Sequence, residues 1–221
     1  MKKLTFMLFL AVMLASCGVY YRQRQEDIYK VRLREVEQPE NVKEQYSKSK
    51  ITIFAEENET KNSYEDDFIK IIWLPALTKF NFTLENKSDN SIKIIWDEAV
   101  YIDEDNTSLK VMHSGVKYVD GEKAQPLTVI AKKTKINDLI IPVDNIYFID
   151  NGWHTQSLFS VEKSAGKTVK ILLPIQIQET INEYIFSFKI NHTRITTVDT
   201  LSSKINHTRI NTADNKVKEQ Q

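Results

Sequence analysis

Of 221 residues, 41% are hydrophobic, 10% aromatic and 27% charged, a globular composition that excludes fibrous and disordered classes. Thirty basic residues balance thirty acidic ones, which removes the clustered positive surplus that nucleic-acid binding by bulk charge requires. One cysteine cannot close an intrachain disulfide, and five glycines leave few positions for phosphate-cradling loops.

Lys2 and Lys3 precede an apolar run, Leu4 to Leu14, interrupted only by Thr5. Such a run spans about 16 Å as helix, against roughly 30 Å of bilayer hydrocarbon, so it reads as a secretory signal and not as a membrane span. It ends in Leu14-Ala15-Ser16-Cys17, which resembles the lipobox of bacterial lipoproteins, where a lipid is attached to the cysteine thiol before cleavage ahead of it. Small residues at 15 and 16 suit entry to a peptidase, and a thiolate is the natural nucleophile for alkylation. The resemblance implies a signal peptide at 1–16, lipid attachment at Cys17, and a mature chain with two more acidic than basic residues. Buried methylenes of the acyl chains, each worth about 0.8 kcal/mol, then hold the protein on a membrane. Gly18 in place of Asp implies the outer membrane by the same resemblance. The lack of an acidic cluster just after Cys17 favours the periplasmic face over the cell surface.

Residues 17–27 read as the lipidated N-terminus and a polar tether. From there Tyr29, Val31 and Leu33 alternate with Lys30, Arg32 and Arg34, the period of a half-buried strand, with a charged helix over 22–37 as the rival. Residues 37–50 read as polar loop, broken at Pro39. Strands are expected at 51–56, 68–74, 80–85, 91–102, 108–113, 116–119, 134–141 and 146–149. The longest alternations come late, with Val169, Ile171, Leu173, Ile175 and Ile177, then Tyr184, Phe186, Phe188 and Ile190. Turn signals fall at 86–91, 103–106, Asp120-Gly121 and Asn151-Gly152. Short strands with turns between them and no long helical period predict one all-β domain over 28–192, an antiparallel β-sandwich with immunoglobulin-like topology. A closed barrel is the competitor. The stretch Phe80 to Asn86, followed by Ile92 to Trp96, resembles the core hairpin of immunoglobulin-like β-sandwich envelope lipoproteins of bacteria that have no characterised activity, and the resemblance implies the fold and no activity.

Lys189-Ile-Asn-His-Thr-Arg-Ile195 recurs unchanged as Lys204-Ile-Asn-His-Thr-Arg-Ile210. Two copies do not make a solenoid. Residues 193–221 therefore read as a polar tail holding a duplicated strand end. Over 189–221 six basic residues face three acidic ones, a weak surplus for anionic headgroups.

Motifs for catalysis are missing: there is no H-E-x-x-H, G-x-S-x-G or phosphate-loop pattern, and no His or Cys spacing for zinc. A lipidated Cys17 carries a thioether and cannot act as a nucleophile. The expectation is a non-enzyme without cofactor or metal beyond the covalent lipid, held at the membrane by that lipid and bound to an envelope protein and not to nucleic acid. Candidate contacts are Trp153 and His154, in an expected loop where a Trp serves as partner anchor, ligand platform or plug. Asp97 and Glu98 are the remaining candidates, because the phase of Ile92, Ile94 and Trp96 against Val100 and Ile102 calls for a bulge near Asp97. As a carboxylate pair they would serve a cation or a hydrolase, and as solvated turn residues neither. Trp73 and Trp96 read as core. A binder of small ligands such as saccharides is the alternative function.

Overall fold

The computed structural model describes the backbone of residues 21–37, 49–56, 59–160, 163–200 and 207–210, and the side chains of 30–37, 49–53, 61–160 and 163–191. Cys17 and the loop expected before residue 49 lie outside them, apart from Glu37. The chain divides into two units, residues 29–192 and residues 1–28 with 193–221. It is all-β, 58% strand and 6% helix, and its strand pairs are antiparallel.

In order, the strands are β1 (Tyr21–Glu37), β2 (Lys50–Glu56), β3 (Glu59–Glu65), β4 (Ile69–Pro75), β5 (Phe80–Asn86), β6 (Ile92–Ile94), β7 (Val100–Ile102) and β8 (Ser108–Met112). There follow β9 (Thr128–Ile130), β10 (Lys135–Pro142), β11 (Ile146–Ile149), β12 (Gly152–Thr155), β13 (Thr168–Ile177), β14 (Thr180–Thr200) and β15 (His207–Ile210). The hydrogen-bonded path runs β1-β14-β13-β7-β8-β10-β5-β4-β3-β2, with β6 between β13 and β9 and β15 on β14. β10 joins the two halves of this path. Its first residues pair with β5, Lys135 opposite Glu85, and its end pairs with β8, Ile141 opposite Met112.

Period-2 alternation places the core. Val169, Ile171, Leu173, Ile175 and Ile177 of β13 and Tyr184, Phe186, Phe188 and Ile190 of β14 are all buried, as are Ile69, Ile71 and Trp73 of β4 and Phe80, Phe82 and Leu84 of β5. The two sets meet. Trp73 lies 5.1 Å from Phe186 and 5.6 Å from Phe188, and Phe80 lies 4.9 Å from Phe188, ring centre to ring centre. Each such side chain, fully buried, contributes roughly 1.5–3 kcal/mol through area removed from water. Trp96 is fully buried too.

Several elements differ from the sequence expectation. The charged helix does not form, and residues 21–27, expected as tether, belong to β1. Residues 116–119, expected as strand, lead into a 3-10 turn, Tyr118–Asp120, and all of its side chains stay out of the core. β3 carries Asn62 and Ser63 among its buried residues, so no apolar alternation marks it. Asn62 behaves as a piece of backbone: its Oδ1 accepts from Leu33 N at 2.8 Å and its Nδ2 donates to Val31 O at 3.1 Å, tying β3 to β1. Phe80 to Trp96 is no hairpin. β5 pairs with β4 and β10 while β6 pairs with β13 and β9, so the chain crosses between ladders at the turn that follows Asn86. That buried amide holds the crossing, donating to Asn90 O, Ile130 O and Ala131 O and accepting from Ser88. Finally, residues 193–200 continue β14, and Ile195, last of the first repeat copy, pairs with Ile210, last of the second.

Candidate functional site

Trp153 and His154 sit on β12, where a loop was expected. The turn Asp150-Asn151 has φ of 50° and 60°, left-handed at both central residues, which is the two-residue connection that matches strand twist. It folds β11 back on β12, with Tyr147 opposite His154 and Phe148 opposite Trp153. Residues directly opposite share a face. One face of the ribbon therefore carries the Tyr147–His154 stack, 5.7 Å between ring centres, together with Ile149. The other carries the Phe148–Trp153 edge contact at 5.2 Å, and Tyr118 joins it 5.6 Å from Trp153.

Both faces are open to solvent. Tyr147 is 46% exposed, Phe148 57%, Ile149 52% and Trp153 45%, with Val119 beside Tyr118 at 71%. Among the described residues this two-stranded sheet pairs with no other strand. Its base is fixed instead: Gln156 N donates to Asn145 O at 2.7 Å, Asn145 Nδ2 donates to Ser157 O at 3.3 Å, and Leu158 and Phe159 re-enter the core. The ribbon is thus tied at its base, and beyond the Tyr118 contact it presents aromatic surface to solvent.

Asp97 and Glu98 lie in a 3-10 turn, Trp96–Glu98, that interrupts the strand where the bulge was expected. β6 and β7 both pair with β13, Ile94 opposite Ile175 and Val100 opposite Leu172, so the turn inserts extra residues into one continuous edge. Both carboxylates point to solvent, but they do not act as a pair. Asp97 Oδ1 accepts from Gln125 N at 2.9 Å, while the next acidic turn is closed by Asp103 Oδ1 accepting from Asp105 N and Thr107 N. Among the described residues no three His, Cys, Asp or Glu side chains stand close enough to share a metal ion.

Sequence reasoning passed over His113. The same turn that exposes Asp97 drives Trp96 inward, where its ring lies flat on the His113 imidazole, 4.1 Å between centres and 2° from parallel, and its Nε1 donates to Thr128 Oγ1 at 2.8 Å. His113 Nδ1 stands 3.2 Å from Asp138 Oδ2, and the other oxygen of Asp138 accepts from Ser114 N and Leu139 N, both at 2.8 Å. A carboxylate oxygen facing Nδ1 makes that nitrogen a donor. No motif announces this cluster, because its members come from the turn before β7, the end of β8 and the middle of β10. A cavity of about 530 Å³ adjoins it, lined by His113, Lys117, Asp120, Lys123, Ala124 and Gln125 among others. On its rim the hydrogen bond from Lys123, at 2.6 Å, and the charges of Lys123 and Lys117 hold the Asp120 carboxyl below its usual range. Comparison of the chain with known protein families, curated proteins and solved structures yields no match.

Proposed function

We propose that this is a non-enzymatic, lipid-anchored cell-envelope protein that binds an envelope protein partner through the β11–β12 ribbon. The observation that carries the reading is aromatic surface exposed on both faces of one ribbon, since soluble proteins keep large contiguous apolar patches for contacts. A flat surface would cover one face only, so the partner offers a cleft that encloses both. A bilayer would enclose both as well, but tip-first entry would take the Asp150 carboxylate into hydrocarbon, which is costly. The lipobox-like residues ending in Cys17 support anchoring, Gly18 in place of Asp supports the outer membrane by the same resemblance, and the lack of an acidic cluster just after Cys17 supports the periplasmic face. An immunoglobulin-like sandwich is the finer fold that accounts for aromatic faces of two strand groups packed together and for the crossing between β5 and β6.

The test is co-purification from membranes solubilised in mild detergent, comparing wild type with Trp153→Ser and Phe148→Ser. The expected result is one envelope protein in near-stoichiometric yield with wild type, reduced at least tenfold by either substitution while Tm stays within about 2 °C, as suits exposed positions. Undiminished recovery with both variants would overturn the role of the ribbon.

A further inference from the structure

The hydrogen-bonded path ends at β2, and among the described residues that strand pairs with β3 alone. The ladder runs without interruption from Lys50 opposite Glu65 to Glu56 opposite Glu59, so no bulge twists the edge away. Between its two ends β2 reads Ile51-Thr-Ile-Phe-Ala55, with neither charge nor proline. Folded proteins guard an open edge with such devices, because its unpaired N–H and C=O groups are a template for another strand. The other end of the path is guarded: β1 carries Lys30, Arg32 and Arg34, all exposed, at every second position.

Apolar surface lies along the same open edge. Ile51 stands opposite Tyr64 and Ile53 opposite Asn62, and residues directly opposite share a face. Tyr64 and Asn62 are buried, so both isoleucines belong to the core side of the sheet, yet Ile51 is 38% exposed and Ile53 41%. β2 thus overhangs the core. Its charges sit at its ends, one sign at each. Lys50 is exposed, and Glu65 opposite it is already paired with Lys87 at 2.8 Å. Glu56 stands opposite Glu59, and like charges facing each other across a ladder are unfavourable. An occupant that suits this edge is an extended apolar strand bringing a cation to the Glu56 end and an anion to the Lys50 end.

β2 meets that description itself. Two copies related by a two-fold axis bring the same edge together in antiparallel sense, and an axis through one residue keeps facing residues in the same phase of the hydrogen-bond alternation. We propose that β2 pairs edge to edge with β2 of a second copy of this chain, with the axis at Ile53. That register uses the whole strand: Ile53 faces Ile53, Ile51 faces Ala55, Thr52 faces Phe54, and Lys50 of each copy stands opposite Glu56 of the other. Ile51 and Ile53 of both copies then fall in one apolar row on the core side. The pairing makes no use of the β11–β12 ribbon and is independent of the partner contact proposed there.

The experiment is disulfide trapping in the full chain. Facing residues of an antiparallel pair have Cα atoms about 4.5–5.5 Å apart, within the roughly 4.4–6.8 Å that a disulfide spans. Cys17→Ser removes the single native thiol. In that background Ile53→Cys, at a half-exposed position, is oxidised mildly in cell extracts in mild detergent, and the chain is recovered and sized without reductant. A covalent species of twice the chain mass is expected. Ile51→Cys alone is expected to give at least tenfold less, because its counterpart lies about 13 Å away along the strand. Co-expressed with Ala55→Cys, it is expected to link. Added to Ile53→Cys, Lys50→Glu should lower the yield at least fivefold, and Glu56→Lys on top of it should restore the yield. Trp153→Ser should leave it unchanged. Absence of the dimer from both Ile53→Cys and the Ile51→Cys with Ala55→Cys combination, or equal yields from Ile51→Cys and Ile53→Cys, would overturn the proposal. So would an adduct of another mass, which would put a different protein on this edge, or a yield indifferent to Lys50→Glu.

Discussion

Asp66 is 2% exposed and acidic, a combination that survives only where donors converge. Its Oδ2 accepts from Tyr64 OH at 3.1 Å and Tyr184 OH at 2.9 Å, and its Oδ1 accepts from Phe68 N and Ile69 N at 2.8 Å. The residue thus closes the β3–β4 turn and ties it to β14. Asp66→Ala strands all of these donors inside the protein and is expected to cost about 3 kcal/mol in chemical denaturation, against less than half of that for Asp66→Asn, whose amide oxygen still accepts. Equal losses would show that the site is governed by packing. Tyr101 makes a pH prediction. Burial, then the charges of Glu104 and Asp103, push its phenol far above the ordinary 10.0, and its OH donates to Leu158 O at 3.3 Å. The folded state therefore holds this proton more tightly than the unfolded chain. Its contribution is complete below pH 10.0 and is lost as pH climbs above that value, where the unfolded chain releases the proton. Alkaline titration followed by phenolate absorbance should show the Tyr101 phenol ionising only on unfolding, as the component that Tyr101→Phe removes, and Tyr101→Phe should flatten the alkaline decline of Tm. A Tyr101 that titrates in the folded state would contradict this.

Among elements, β3 is held by what its sequence lacks. Asn62 supplies two bonds to the backbone of β1, so Asn62→Leu, though more apolar, leaves Leu33 N and Val31 O without partners and is expected to lose about 2 kcal/mol or more, read from the unfolding midpoint. Stability equal to wild type would mean that β1 finds other partners. The same residue shows why part of the fold was legible and part was not. β13 and the start of β14 alternate strictly, because each has one face in the core and one in solvent, and the period alone locates both. β3 buries an amide where a strand usually buries a side chain of carbon, so hydrophobic period is silent there. Pairing was also hidden: Phe80 to Asn86 and Ile92 to Trp96 look like two arms of a hairpin, but partners depend on where the chain goes at Asn86, and that is set by carbonyls of Ile130 and Ala131 far along the chain. Phase did mark the irregularity at Asp97. It did not reveal its use, which is to turn Trp96 onto His113. Trp153 was legible as a singular residue after a turn signal, whereas the face shared with Phe148 and Tyr118 exists only once β11 and β12 have paired.

At the scale of the whole molecule, the proposed function combines a lipid on Cys17 with a partner contact made by the β11–β12 ribbon. The anchor has its own measurement: incorporation of labelled fatty acid is expected to vanish in Cys17→Ala, and undiminished labelling would contradict lipidation there. A lipid there would confine the protein near one surface, raise the effective concentration of any partner in the same membrane and let a modest ribbon contact suffice. The most direct test of the central claim is photocrosslinking in living cells, with a photoreactive amino acid replacing Phe148 and, as a control, the exposed Val129 of β9. The account predicts one discrete adduct from position 148, identified by mass spectrometry as an envelope protein, lost when Trp153→Ser is added and absent from position 129. No adduct at 148, or the same adducts at both positions, would contradict it.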